Sequence, residues 1–492
     1  MNSSIAWQER ICPVLPTVFG CVEFSDYKEL LQGIDHELRE SGLEKAMIAR
    51  NLSQLEKDTG KELSGYRKSH LAQQRSIALR CTLARRIVQS SLRKFHIDLA
   101  QSWILQSFVG IFDMVEVRIP SKSQLERYEK FFTAEEIDEA LRQYVNHTLE
   151  CSVVGTGPGD INLEEIYADS TCVKANIHHP VDWVMLRDAG RSILTTIQTI
   201  RRHDLRHRIP NPKSLKKELN RLSIHMSHSG RQKNGKKKRK KVLRAMKRLV
   251  TIILQHGLRY CAMLRKRRYE TNWSEGWITH ILDRLESHCN KVPKVIWQAH
   301  ERIIGGRQVN NKEKLLSLYE DDVHVLVRGK AGAEVEFGNG LYLAEQKQGL
   351  VVDWEFFRKQ PPADSRQVND ALGRLKKHYK QHAVNAYCAD RGFDSRDNSR
   401  FLQEEHIFNA ICPRRPRDRQ RNSANHRYTT MQNRRGQTEA RIGIIRNMFI
   451  GSVVKSKGYE NRKITVLWSI LTHNLWLIAR LKRRKKQLLE AA

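Results

Sequence analysis

Three acids stand where one structural texture gives way to another, and their type suits one kind of chemistry. Asp169 lies in Ile166-Tyr167-Ala168-Asp169-Ser170-Thr171, an apolar run that reads as a strand ending in polar residues. Asp390 follows the run from Ala383 to Ala389, a buried strand that delivers it at the C-terminal end. Glu439 stands at the head of a helical pattern from Thr438 to Phe449. Phosphodiester transfer is an in-line displacement with charge spread over the equatorial oxygens. Two divalent ions about 4 Å apart can stabilise both the attacking and the leaving oxygen. Mg²⁺ favours hard oxygen ligands and keeps several waters, so a few carboxylates suffice. Acids remote in sequence and gathered at a sheet edge meet that need. His178-His179 does not, because neighbours in a strand point to opposite faces.

Each acid also has a plainer use. Asp169 before Ser170-Thr171 could cap a turn, and Asp390 could shape a loop, with Asp394 its nearest competitor. Glu439 shares a helical face with Ile442 and Phe449, where a carboxylate is costly unless ligated or paired.

The elements that must position these acids follow from the hydrophobic pattern. Residues 1 to about 135 read as helical, with apolar steps such as Val88, Leu92, Phe95 and Leu99. Ser121 and Gln124 form a capping-box start for a short helix, which could read DNA in a helix-turn-helix or belong to an all-helical scaffold. Helices return from Trp183 to about Arg302. Val323, Val325 and Val327 begin a period-two pattern. Glu334–Glu345 and Leu350–Phe357 follow as strands around a turn at Gln346–Gly349, with Asn339-Gly340 a rival turn. A helix is expected from Val368 to about His382, another from Ser395 to Glu405, and a strand from Ile407 to Cys412. Residues 413–435 read as a loop with eight arginines.

The 492 residues amount to about three domains at roughly 150 residues each. Lys plus Arg is 87 against 54 acids, a net +33 that disfavours an ordinary metabolic enzyme and points to a polyanion. The charge is localised: Arg201–Arg268 holds 24 Lys or Arg against Asp204 and Glu218, so 24 − 2 = +22. Within it, Val242, Met246, Leu249, Ile253, Tyr260 and Leu264 suggest a long helix, half of a helical hairpin, with one packed and one phosphate-facing side. Gly235 and the run Lys236–Lys241 read as its frayed start. Trp183, Trp273, Trp277 and Trp297 could stack on an unpaired base or simply pack the hairpin. The nine cysteines show no C-x-x-C spacing, which argues for a reducing compartment and against a zinc ribbon or disulfide framework. The first residues lack the pattern of an export signal. The apolar stretch Ile464–Ala479 carries His473 and Asn474 and reads as a core helix, too short to span a bilayer, with Lys482–Lys486 as a solvated end.

The order is strand–Asp, helical insertion, strands, helix, strand–Asp, helix, strand, basic loop and helix with Glu. That is the layout of an α/β, ribonuclease-H-like mixed sheet. Three stretches resemble the DDE transposases of bacterial insertion sequences: Asp169–Asn176, Ala389–Ser395 and Arg435–Arg446. Lys312–Glu320 and Gly329–Glu334 also look like them. The resemblance covers roughly residues 160 to 455. It implies that Asp169, Asp390 and Glu439 are the catalytic acids and bind two Mg²⁺ or Mn²⁺. Of the family's Tyr-Arg-Glu-Lys signature, Arg435 and Glu439 match, while Gln432 replaces the Tyr and Arg446 the Lys.

The resemblance further implies an N-terminal DNA-binding or dimerisation domain (1–135) and a catalytic domain (136–182 with 303–460). A basic insertion (183–302) and a C-terminal helix with a basic tail (461–492) complete the chain. DNA would be held by Arg435, Arg446, Arg414, Arg415, Lys237, Lys240, Arg244 and Lys247. The expected substrate is double-stranded DNA, as terminal inverted repeats and target, acted on by a homodimer in the bacterial cytoplasm at the nucleoid. No membrane, no small-molecule substrate and no cofactor beyond metal is expected. A nuclease on the same fold without strand transfer, or a domesticated DNA-binding protein, are the alternatives.

Overall fold

The computed structural model describes residues 17–151, 161–230, 234–330 and 333–491. The reading of the N-terminal sixteen residues, and the Ala331-Gly332 step of the Gly329–Glu334 block, lie outside them. The chain divides into two compact units, Met1–Ala175 with Asn339–Ala492, and Asn176–Gly338.

The first unit opens with helices α1 (Val22–Glu40), α2 (Leu43–Thr59), α3 (Gly65–Ile87), α4 (Leu92–Gln101), α5 (Trp103–Val109), α6 (Lys122–Tyr128) and α7 (Ala134–Glu150). The Ser121–Gln124 capping box forms: Ser121 Oγ accepts the Gln124 N–H and Gln124 Oε1 accepts the Ser121 N–H. The buried Arg80 guanidinium on α3 bonds the Glu44 carboxylate on α2 at 2.7 Å and also reaches Asp35 on α1, so its charge is matched inside the helical core. Strand β1 (Glu165–Lys174) follows.

The second unit holds α8 (Asp182–Arg201), α9 (Pro212–Ser229), α10 (Gly235–Lys266) and α11 (Glu275–Ala299) around a core of their own. The buried stripe of α10 is Leu243, Met246, Val250, Ile253, Gly257, Tyr260 and Leu264 at three-four steps, with Cys261 buried beside it. The expected stripe is therefore shifted at two places, where Leu243 and Val250 take the inside instead of Val242 and Leu249. The run Lys236–Lys241 is wound into α10 and is not a frayed start. Gly235 permits this, since a Cβ there would fall 2.4 Å from the Ser229 carbonyl oxygen. Strand β2 (His324–Lys330) pairs antiparallel with the first part of β3 (Ala333–Gln346).

Back in the first unit come β4 (Val351–Phe356), α12 (Gln367–His378), β5 (Ala386–Ala389), α13 (Arg396–Glu404), β6 (Phe408–Asn409), α14 (Pro416–Ser423), α15 (His426–Ile444) and α16 (Tyr459–Ala491). The described residues form a mixed, open six-stranded sheet of order β2-β3-β1-β5-β6, with β4 paired to β3. Strands β3 and β4 are antiparallel, while β1, β5 and β6 run parallel. The β3–β4 turn is at Gln346–Gly349, where Gly349 takes φ +98°. Asn339-Gly340 is inside β3, and Gly340 is small because Pro361 Cγ lies 2.8 Å from where a Cβ would stand.

Helix α16 extends beyond the expected apolar stretch, and Lys482–Lys486 continue it as helix. It is long and apolar enough to cross a membrane by length and composition, yet 78% of its apolar window is buried in the protein. Of its buried polar residues, Asn474 is tied to β4. Asn474 Nδ2 donates to the Val351 carbonyl (2.8 Å), and Asn474 Oδ1 accepts the Val351 N–H (3.1 Å). That closes β4's outer backbone groups inside the core.

Candidate active site

Strands β1 and β5 run parallel and in register, with Tyr167 opposite Cys388 and Ala168 opposite Ala389. Asp169 and Asp390 are the residues that follow this last pair, Asp169 within β1 and Asp390 just past the end of β5. Period two puts Glu165, Tyr167 and Asp169 on one face of β1. Helix α15 covers that face: the Arg434 guanidinium lies 4.5 Å from the Tyr167 ring centroid. Ala386, Cys388 and Ala410 are small, so Tyr428 and Met431 of α15 pack directly on the sheet. Burial pushes the Cys388 thiol up to about 12, so it is an apolar filler here and not a nucleophile. Strand β1 runs on to Lys174, so Asp169 is inside the strand and not at its end as expected. Asp390 does end β5.

Both aspartates are fixed by backbone donors. Asp169 Oδ1 accepts the Ser170 N–H (2.7 Å), and Asp390 Oδ1 accepts the Gly392 N–H (2.8 Å). A Cβ at Gly392 would lie 2.9 Å from Asp390 Oδ1 and 3.0 Å from Asp364 Oδ2, so a side chain there would displace the Asp390 carboxylate. Asp394, the rival to Asp390, accepts the Arg414 N–H and so closes the loop after β5.

Along α15, Gln432, Arg435 and Glu439 form one row at helical spacing. Gln432 Nε2 donates to the carbonyls of Ala389 (3.2 Å) and Ala410 (2.5 Å), which seats the row beside the end of β5. Arg435 donates to Gln432 Oε1 (3.2 Å) and to Glu439 Oε1 (2.7 Å). Burial works against the Arg435 charge. The bond to Glu439, its charge and then the charge of Asp169 outweigh burial, so the Arg435 pKa is raised. The Glu439 side chain is 53% exposed and ion-paired, so it does not sit on the apolar face with Ile442 and Phe449 as expected. Among the described residues, no three His, Cys, Asp or Glu side chains are grouped closely enough to hold a metal ion. Asp169 and Asp390 thus follow paired positions of β1 and β5, while Glu439 is on the covering helix and held by Arg435.

What holds α15 down is a residue that sequence reasoning missed. Glu345, at the end of β3, is buried. It accepts from Thr438 Oγ1 (2.8 Å) and pairs with Arg434 (2.9 Å) and Arg441 (2.9 Å). The spacing Arg434, Thr438, Arg441 on one helical face was a readable signal for a buried acceptor. Asp364 beside Gly392 carried no such signal.

The other expected contacts are spread over both units. The arginine-rich segment is not a loop: it forms α14 and the first half of α15. Arg415, Arg417, Arg419 and Arg421 are exposed there. Arg446 is half-buried in a π-helical turn, Ile445–Ile450, so its angle to Glu439 departs from that of a regular helix. In the second unit, Lys237 and Arg244 are exposed and Lys240 is half-buried. Lys247 Nζ is 2.9 Å from His300 Nδ1. Of the tryptophans, Trp183 lies beneath the Arg239 guanidinium and Trp273 packs against His203, while Trp277 and Trp297 are 47% and 43% exposed. His178 and His179 lie in an irregular segment after β1, where His179 packs edge-on to Phe337.

Compared with family models, curated proteins and solved structures, the chain finds no significant match. What the site can do therefore rests on its geometry: two hard-oxygen carboxylates that follow paired positions of neighbouring strands, under a helix that carries a third carboxylate held by Arg435.

Proposed function

We propose that the protein is a DNA transposase that cleaves phosphodiester bonds at the ends of its own element and joins the resulting 3′-hydroxyl to target DNA. The observation that carries this reading is the β1–β5 register, whose last pair, Ala168 and Ala389, immediately precedes Asp169 and Asp390, together with the covering helix that bears Glu439. The strand order β4-β3-β1-β5-β6, antiparallel and then parallel, supports a ribonuclease-H-like catalytic domain with the helical unit inserted after β1.

The donor set fits Mg²⁺ or Mn²⁺, since Mg²⁺ is commonly held by one or two carboxylates together with substrate phosphates. Asp169 and Asp390 would hold the ions, with Glu439 joining once it leaves Arg435. Two bound ions would supply Lewis-acid stabilisation of the attacking and leaving oxygens. The chain's own residues then have defined tasks. The Ser170 and Gly392 N–H groups keep one oxygen of each aspartate oriented. Gln432 fixes the row against β5, and Arg435, released by Glu439, turns to the scissile phosphate.

The DNA would lie along cationic helices. No acid occurs between Glu218 and Glu270, a stretch that includes all of α10. The exposed arginines of α14 stand just before the catalytic helix and would grip the strand by phosphate contacts. Two ends must be cut and joined together, so two copies act as a homodimer at the bacterial nucleoid.

The test is a strand-transfer assay. A labelled duplex carrying the gene's flanking sequence is incubated with Mg²⁺ and a target plasmid. The wild type is expected to leave a 3′-hydroxyl at the end and to join it covalently to the plasmid. Cutting without joining would replace this reading with a nuclease. Binding without cutting, in the presence of both Mg²⁺ and Mn²⁺, would replace it with a DNA-binding protein.

A further inference from the structure

We infer that Arg414 is a positioning residue for Asp390, and not a contact to DNA as its place in an arginine-rich segment suggests. This rests on the active-site reading above.

After β6 the chain returns alongside the end of β5, where the Cys412 N–H donates to the Ala389 carbonyl (3.0 Å). Two residues on, Arg414 meets the loop that follows Asp390 in three ways. Its backbone N–H donates to Asp394 Oδ2 (2.8 Å). Its Nε donates to the Arg391 carbonyl (3.0 Å), and a terminal guanidinium nitrogen to the Gly392 carbonyl (3.0 Å). The same loop is gripped from the inside. Asp390 Oδ1 accepts the Gly392 N–H, and the Phe393 N–H donates to the Asp390 carbonyl (3.2 Å). The peptide unit joining Arg391 to Gly392 therefore orients the Asp390 carboxylate through its N–H, while Arg414 Nε holds the carbonyl of that same unit.

The geometry needs an arginine. A planar fork presents N–H groups in fixed directions and can span two successive carbonyls, whereas an ammonium is a single point. Arg414 is exposed like its neighbours, yet its Nε and one terminal nitrogen are engaged with the loop after Asp390. The neighbouring Arg415, Arg417 and Arg419 are exposed on and beside α14 and are free of that loop. One arginine of the cluster thus belongs to the site's support, and the others to the DNA face.

The test separates metal binding from DNA binding, on the full chain. Mn²⁺ binding is followed by electron paramagnetic resonance without DNA. DNA affinity is measured without divalent ions at several salt concentrations. Arg414→Ala is expected to weaken Mn²⁺ binding by roughly 10-fold, as the loss of a group that orients a ligand does. Its DNA affinity and salt slope should match the wild type. Arg414→Lys keeps the charge and should not restore Mn²⁺ binding. Arg417→Ala should do the reverse, leaving Mn²⁺ binding intact and lowering the salt slope by about 1. An Arg414→Ala protein that binds Mn²⁺ normally but loses DNA affinity and salt slope overturns the inference and makes Arg414 a phosphate contact. If Asp390→Asn binds Mn²⁺ as the wild type does, the active-site reading itself is wrong and the inference falls with it.

Discussion

Replacing Glu345 by Gln should loosen α15 far more than its neighbours. The Glu345 side chain is 3% exposed and faces Arg434 and Arg441, whose side chains are 10% and 16% exposed. Removing one partner of a buried charge group costs about 3–5 kcal/mol, because the remaining charges stay desolvated. Arg434 keeps its bonds to the carbonyls of Gln346 and Lys347, and a Gln still offers one acceptor, so the lower end applies. At 1.36 kcal/mol per decade, about 3 kcal/mol is roughly a 100-fold loss of protection. The readout is amide hydrogen exchange along His426–Ile444, compared with α10 as an internal reference. Exchange in α15 should quicken by about two orders of magnitude while α10 is unchanged. A change below about threefold would refute the idea that Glu345 anchors the helix that carries Glu439.

Other outcomes follow from the same structure. Burial, aided by the Arg441 charge, lowers His473 to about 3, against an ordinary value near 6.5. The unfolded chain therefore binds the proton first, so stability is full above about pH 6.5 and is lost as pH falls toward 3. By pH 5 the loss should be about 2 kcal/mol, and His473→Gln should flatten the slope of denaturation midpoint against pH; an unchanged slope would contradict it. Arg374 forks onto the buried Asp353 (2.7–3.1 Å), so Arg374→Ala should destabilise the first unit by about 3 kcal/mol, seen as a fall in denaturant midpoint. DNA affinity should drop by about 10³–10⁵ between about 50 and 200 mM salt if 6–10 phosphates are contacted. Combined Lys237→Ala and Arg244→Ala should lower that slope, and a flat salt response would remove the cationic helices from the DNA path.

The strand acids were legible because their signals are local. A short apolar run followed by an aspartate marks Asp169 and Asp390 without any knowledge of the sheet, although β1 continues past Asp169 to Lys174. The capping box at Ser121 and the turn at Gly349 are local for the same reason. What was not legible depends on partners far along the chain. Glu345 meets Thr438 across 93 positions. Nothing near Glu345 announces a buried charge, and the Arg435–Glu439 spacing, though local, does not tell that Glu439 faces solvent. The arginine-rich segment looked like loop because α14 buries no residue, so it has no apolar stripe to read. In α10 the adjacent apolar pairs Val242-Leu243 and Leu249-Val250 leave the phase open by one residue. Packing against α8 and α11 decided it in favour of Leu243 and Val250.

The most direct test of the account is cleavage of a duplex carrying the gene's own flanking ends, with Mg²⁺, by the wild type and by Glu439→Ala. Glu439 is exposed and surface-paired, so its loss should leave folding and DNA binding intact. The wild type should cut at the ends, and the variant should bind the duplex without cutting it. Equal cutting by both proteins would contradict the account and remove Glu439 from the site.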